Sequence, residues 1–131
     1  MRLGYIIIYV SNVPNTVAFY ETAFALTCRF IHESSLYAEM ETGSATLAFA
    51  GNEAAEMIGL KVLPNDPKAI AAGCEVCLIA NNVAAAYEYA VAKGYNPVAP
   101  PTEKPWGQTV SYLRDLNSCL VEIASPIALK D

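Results

Sequence analysis

The chain has 131 residues, 54% of them apolar and 16% charged, which suits one compact domain or two small halves sharing a core and excludes a disordered segment. Its net charge of -5, with the eight Lys and Arg scattered, excludes the clustered basic surface that nucleic acid or an anionic membrane requires. No apolar run approaches the roughly 20 residues that span a bilayer, so a cytoplasmic protein with a neutral or cationic small-molecule ligand is expected, its apolar excess suited to a homodimer interface.

Arg2 before the apolar run Tyr5 to Val10 has the outline of a leader peptide. Asn12, Pro14 and Asn15 follow where a longer apolar region and a cleavage site would stand, so none is expected. Tyr5 to Val10 is too short for a helix and reads as a covered strand. Asn12 then caps a helix with Pro14 in its first turn and an apolar stripe of Val13, Val17, Tyr20 and Phe24, ending near Ala25. Thr27 to Glu33, Leu36 to Glu41 and Ala45 to Ala50 read as three strands, which closes a β-α-β-β-β module over residues 1–50.

Residues 51–73 show no sustained period and contain Pro64, Asn65, Asp66 and Pro67, the composition of a linker or flap with a short helical turn near Ala54 to Met57. The second module, 74–131, starts with a strand from Glu75 to Ala80. Asn81 and Asn82 cap an alanine-rich helix that runs to Lys93 and stops at Gly94. Tyr95 to Val98 reads as a short strand, followed by a stiff connection containing Pro100, Pro101 and Pro105. Gln108 to Arg114 and Cys119 to Ser125 form a hairpin across Asp115 to Ser118, with Arg114 and Asp115 read as a surface ion pair.

An offset of 70 residues places Tyr5 on Glu75 and Asn12 on Asn82, and an offset of 74 places Ala48 on Glu122. The halves thus repeat one plan. Each would leave a sheet face uncovered, so the expected fold is α+β, with two β-α-β-β-β modules forming a curved mixed eight-stranded sheet and helices outside. Cys74 and Cys77 have C-x-x-C spacing, but residues three apart on a strand face opposite sides. The four cysteines are therefore read as small buried hydrophobes in a reducing compartment.

The opening IIIYVSNVPNTVAFYE and the closing PWGQTVSYLRDLNSCLVEI together resemble the vicinal oxygen chelate superfamily of glyoxalases, bleomycin resistance proteins and extradiol dioxygenases, over nearly the whole chain. Leu116, Asn117 and Ser118 replace the usual proline, acidic residue and glycine of its last turn, so a non-glycine residue with positive φ is expected there. In the superfamily's enzymes a divalent ion is held by the first and last strands of each module, and the resemblance carries those places onto Tyr5, Ala48, Glu75 and Glu122. Alanine cannot ligate and a tyrosine phenol is a poor ligand for the usual ions, so no metal or other cofactor is expected beyond a weak divalent ion at Glu75 and Glu122.

The resemblance implies a homodimeric, metal-free binding protein whose ligand meets Tyr5, Ile7, Tyr9, Ala48, Glu75, Trp106, Tyr112 and Glu122. Glu122 is expected to be hydrogen-bonded to Tyr5 or Tyr112. Trp106 suits either a ligand wall or packing under the proline-rich loop. The competing reading is a lyase, isomerase or dioxygenase in which Glu122, Glu75 and Tyr5 act on a proton or hold a metal. A third is a partner-binding module without pocket chemistry.

Overall fold

The structure, a computed structural model, describes residues 1–127; the end of the second module, residues 128–131, lies outside the described residues. They form two compact units, the first Met1–Asp66 and the second starting at Pro67. The first contains β1 (Tyr5–Val10), α1 (Val13–Phe24), β2 (Thr27–Ile31), β3 (Tyr37–Glu41), β4 (Thr46–Gly51) and α2 (Asn52–Met57). The second contains β5 (Glu75–Ile79), α3 (Val83–Ala92), β6 (Asn96–Glu103), β7 (Thr109–Arg114) and β8 (Leu120–Ala124). The fold is α+β, and its eight strands are hydrogen-bonded as two mixed sheets of four, ordered β1-β4-β3-β2 and β5-β8-β7-β6. In each, the first strand runs parallel to the last and the remaining pairs are antiparallel.

Both long helices start where their asparagines dictate. Asn12 Oδ1 accepts from Asn15 N at 2.9 Å and Asn82 Oδ1 from Ala85 N at 3.0 Å, each satisfying a backbone donor that the first turn leaves open. The stops differ. Gly94, with φ 90, follows α3 at no steric cost, whereas α1 ends on Ala25 held at φ 55. In the first unit Val13, Val17, Phe19, Tyr20 and Ala23 of α1 form a core with Ala38, Met40, Leu47 and Phe49, and the Tyr20 and Phe49 rings lie 4.9 Å apart. Burying side chains of this size contributes about 1.5–3 kcal/mol each. In the second unit α3 packs over β6, β7 and β8, with Val83, Ala90, Leu113, Val121 and Ile123 buried.

Four expectations need correction. Tyr5 to Val10, expected as a covered strand, exposes Tyr5, Ile6 and Ile7 at its start. The strand after α3 continues through Pro97, Pro100 and Pro101 to Glu103, with register shifts between Pro97 and Ala99 and between Ala99 and Thr102. It is an edge strand, where a residue without N–H need not break a ladder. Asp115 is not a surface residue but 2% exposed, and its Oδ1 accepts from Asn117 N at 2.7 Å and Cys119 N at 3.0 Å, while Arg114 donates to Ser118 Oγ at 3.0 Å. The cysteines are not core residues: Cys74 and Cys77 are exposed and Cys28 and Cys119 half-buried. The expected positive φ in the turn falls on Ser118, at 70°.

Candidate functional site

Alternation along the strands gives each sheet one face packed by its helix and one face free for other use. In the second unit, register puts Glu75 beside Leu120, Cys77 beside Glu122, and Tyr112 beside Glu122, so Glu75, Cys77, Glu122 and Tyr112 share the face opposite the buried Leu113, Val121 and Ile123. Glu122 is central. It accepts from Tyr112 Oη at 3.1 Å, the second of the two partners expected for it.

The electrostatics follow from this crowding. Burial, then the charge of Glu122 and a hydrogen bond with it, raise the Glu75 carboxyl above the usual carboxylate range. Burial first, and then the hydrogen bond to Glu122, push the Tyr112 phenol up to about 12. The same two causes in the same order push the Cys77 thiol up to about 12. Such a thiol stays protonated at neutral pH and is a weak nucleophile. The group is thus two neighbouring carboxylates with the Tyr112 phenol donating to one of them and the Cys77 thiol beside it.

In the first unit Tyr5, Ile7 and Tyr9 alternate onto one face, and Ile7 lies beside Ala48, which lies beside Glu39. Tyr5 and Ile7 are exposed, Ala48 is fully buried, and the Tyr9 carbonyl accepts from Asn65 Nδ2 at 3.0 Å. Sequence reasoning missed the polar group on this face. Glu39 takes Arg29 Nη1 on one oxygen at 2.8 Å and Tyr37 Oη on the other at 2.8 Å. Arg29 also forks onto Glu41 through Nε and Nη2 at 3.0 and 3.2 Å and donates to Thr46 Oγ1 at 3.3 Å. A bulge between Cys28 and Phe30 turns Arg29 onto that face. Burial, then the Glu39 hydrogen bond, push the Tyr37 phenol up to about 12.

Each unit therefore holds a tyrosine–carboxylate pair on its free face, but the carboxylate has moved. In the second unit it stands on the last strand, at Glu122. In the first unit it stands one strand over, at Glu39, and the last strand offers Ala48. A metal centre drawing one donor from the first and last strand of each module does not fit this set. Ala48 has no donor atom, and Glu39 beside it has both oxygens engaged. Among the described residues no group of three or more His, Cys, Asp or Glu is arranged to hold a metal ion. His32 sits in the β2–β3 turn, where its Nδ1 accepts from Ser34 N at 3.1 Å. Trp106 is 61% exposed, too open for a packing residue, and donates Nε1–H to Gln108 Oε1 at 2.9 Å. Among the described residues no helix is long and apolar enough to cross a membrane.

Solved structures share the architecture. A glyoxalase-related enzyme from Fulvimarina pelagi superposes with a TM-score of 0.76 at 20% identity, covering 96% of this chain and 88% of its own. A glyoxalase/bleomycin resistance protein/dioxygenase from Nocardioides gives 0.78 at 18% identity, covering 100% and 87%. A glyoxalase/bleomycin resistance protein/dioxygenase family enzyme from Burkholderia phytofirmans PsJN gives 0.78 at 19%, covering 98% and 100%. At these identities the likeness is one of fold. No curated protein matches the chain. The family model of the Glyoxalase/Bleomycin resistance protein/Dioxygenase superfamily matches residues 2–123, and the chain belongs to that superfamily.

Proposed function

We propose that this protein binds a small organic molecule, aromatic or cationic, without a metal, and works as a cytoplasmic homodimer. The observation that carries the reading is the placing of carboxylates: Glu122 is tied to Tyr112 beside Glu75, while the equivalent of Glu122 in the first module is Ala48. Carboxylates next to tyrosine rings attract an organic cation by charge and by the ring face together. In the second unit Trp106, 61% exposed, supplies further aromatic surface with a polar handle, and Tyr5, Ile7 and Tyr9 supply apolar and aromatic surface on the first unit's own sheet.

The test is elemental analysis of protein purified without chelator, together with a thermal-shift screen of organic cations, aromatic compounds and divalent metals. A ligand at one hundred times its Kd adds about 2.7 kcal/mol to apparent stability. The expected result is a shift with one ligand class that Glu122→Gln abolishes. Stoichiometric, tightly held Ni²⁺, Zn²⁺, Fe²⁺ or Mn²⁺ would overturn it.

One observation favours a second reading, metal-independent proton transfer. The raised Glu75 carboxyl beside Glu122 and the Tyr112 phenol sets a weakened acid next to a carboxylate and a phenol, an arrangement suited to passing a proton. Unchanged turnover of an identified substrate in Glu122→Gln would exclude it.

A further inference from the structure

We propose that Cys74 and Cys119 form a reversible disulfide that clips the segment leading into β5 onto the start of β8, made by exchange with low-molecular-weight disulfides and broken by low-molecular-weight thiols. The parallel ladder between these strands begins with Glu75 beside Leu120, and one residue further back along both strands stand Cys74 and Cys119. Neighbouring strands lie about 4.8 Å apart, inside the roughly 4.4–6.8 Å between Cα atoms that a disulfide spans, and directly opposed residues project to the same side.

The two positions are also fastened independently of the cysteines. Ser118 Oγ donates to Ala69 O at 3.0 Å, which ties the segment before β5 to the turn before β8. Cys119 is held by Asp115, whose backbone N–H donates to Cys119 O at 2.9 Å and whose Oδ1 accepts from Cys119 N at 3.0 Å. Burial, then the charges of Asp115 and of Cys74, raise the Cys119 thiol, so the second cysteine is near enough to be felt. The rival pairing within C-x-x-C is disfavoured, because Cys77 shares the Glu122 face and Cys74 alternates to the other.

Exposure sets the order of steps. The Cys74 thiolate, exposed, attacks one sulfur of the small disulfide; a mixed S–S bond forms, the original S–S bond breaks, and one small thiol leaves. Cys119, whose raised thiol makes this the slow step, gives its proton to solvent and attacks the Cys74 sulfur, forming the protein disulfide and releasing the second small thiol. Two protein thiols are oxidised and one small disulfide is reduced to two thiols. In a reducing compartment the bond is transient. When formed, it fixes the start of β5 and with it Glu75, the residue next to Cys74.

The test treats the full chain with oxidised glutathione and maps its disulfides by mass spectrometry of unreduced proteolytic fragments. Expected are a Cys74–Cys119 linked fragment, loss of two of the four free thiols, and a thermal midpoint raised by about 10 °C that dithiothreitol reverses. Cys119→Ser is expected to stop at a persistent glutathione adduct on Cys74 with no rise in midpoint, and Cys77→Ser to form the same Cys74–Cys119 bond. A Cys74–Cys77 bond, or a stable adduct on Cys74 in the parent chain, would overturn the proposal. Neither outcome depends on which ligand the protein binds.

Discussion

Replacing Asp115 by alanine removes an acceptor that two backbone N–H groups share, those of Asn117 and Cys119. Asp115 and Asn117 are buried, so the freed donors do not simply turn to water. A buried donor left without a partner costs about 1–3 kcal/mol, and two partly sheltered ones set the expected loss at about 2–4 kcal/mol. With a urea slope of roughly 1–3 kcal/mol per M, the unfolding midpoint should fall by about 1–2 M, read by circular dichroism at pH 7. Asn keeps an oxygen in the same place and loses only the charge, so Asp115→Asn should lose about half as much. The turn sets the register that places Tyr112 opposite Glu122, so ligand-dependent stabilisation should weaken in step. A midpoint shift below roughly 0.5 M for Asp115→Ala would refute this account of the turn. Equal losses for Ala and Asn would show that charge and not acceptor position matters.

Three further outcomes are expected. Ala25→Gly, which relieves a left-handed residue at the end of α1, should stabilise the chain by about 1 kcal/mol in the same urea assay. Tyr37 and Tyr112 sit at about 12 against an ordinary value of 10.0. Both phenols hold their protons more tightly when folded, so the stability they contribute is complete below pH 10 and lost as pH rises through about 12. In an ultraviolet titration Glu122→Gln should lower the Tyr112 value only part of the way, because burial is its first cause. Glu75 has a raised carboxyl, so its contribution is favourable in acid and lost as pH rises through its folded value. Glu75→Gln should therefore raise the thermal midpoint at pH 7, with the gain shrinking below about pH 4.

What the sequence disclosed was what is local or periodic. The Asn12 and Asn82 caps are decided within four residues, and the strand order of each module follows from one plan used twice. Glu122 and Tyr112 could be paired because hairpin register follows from the turn between them. The Arg29–Glu39–Tyr37 group could not, since it depends on a bulge that no residue type announces and on contacts between two strands. The prolines of β6 read as the end of a strand because the sequence does not say which edge is free. C-x-x-C drew attention to neighbours in the chain, while the β5–β8 ladder, which begins with Glu75 beside Leu120, leaves Cys119 as the cysteine just before the partner strand.

The borders of the two sheets are unequal in their tolerance of another strand. β2 is interrupted by its bulge and β6 by three prolines and two register shifts, so both present broken rows of donors and acceptors. β1 and β5 carry no proline, and their ladders to β4 and β8 run without a shift. β1 also exposes Tyr5, Ile6 and Ile7. Of the four border strands β1 and β5 are therefore the unbroken ones, and a proline introduced in either would interrupt its row as those of β6 do.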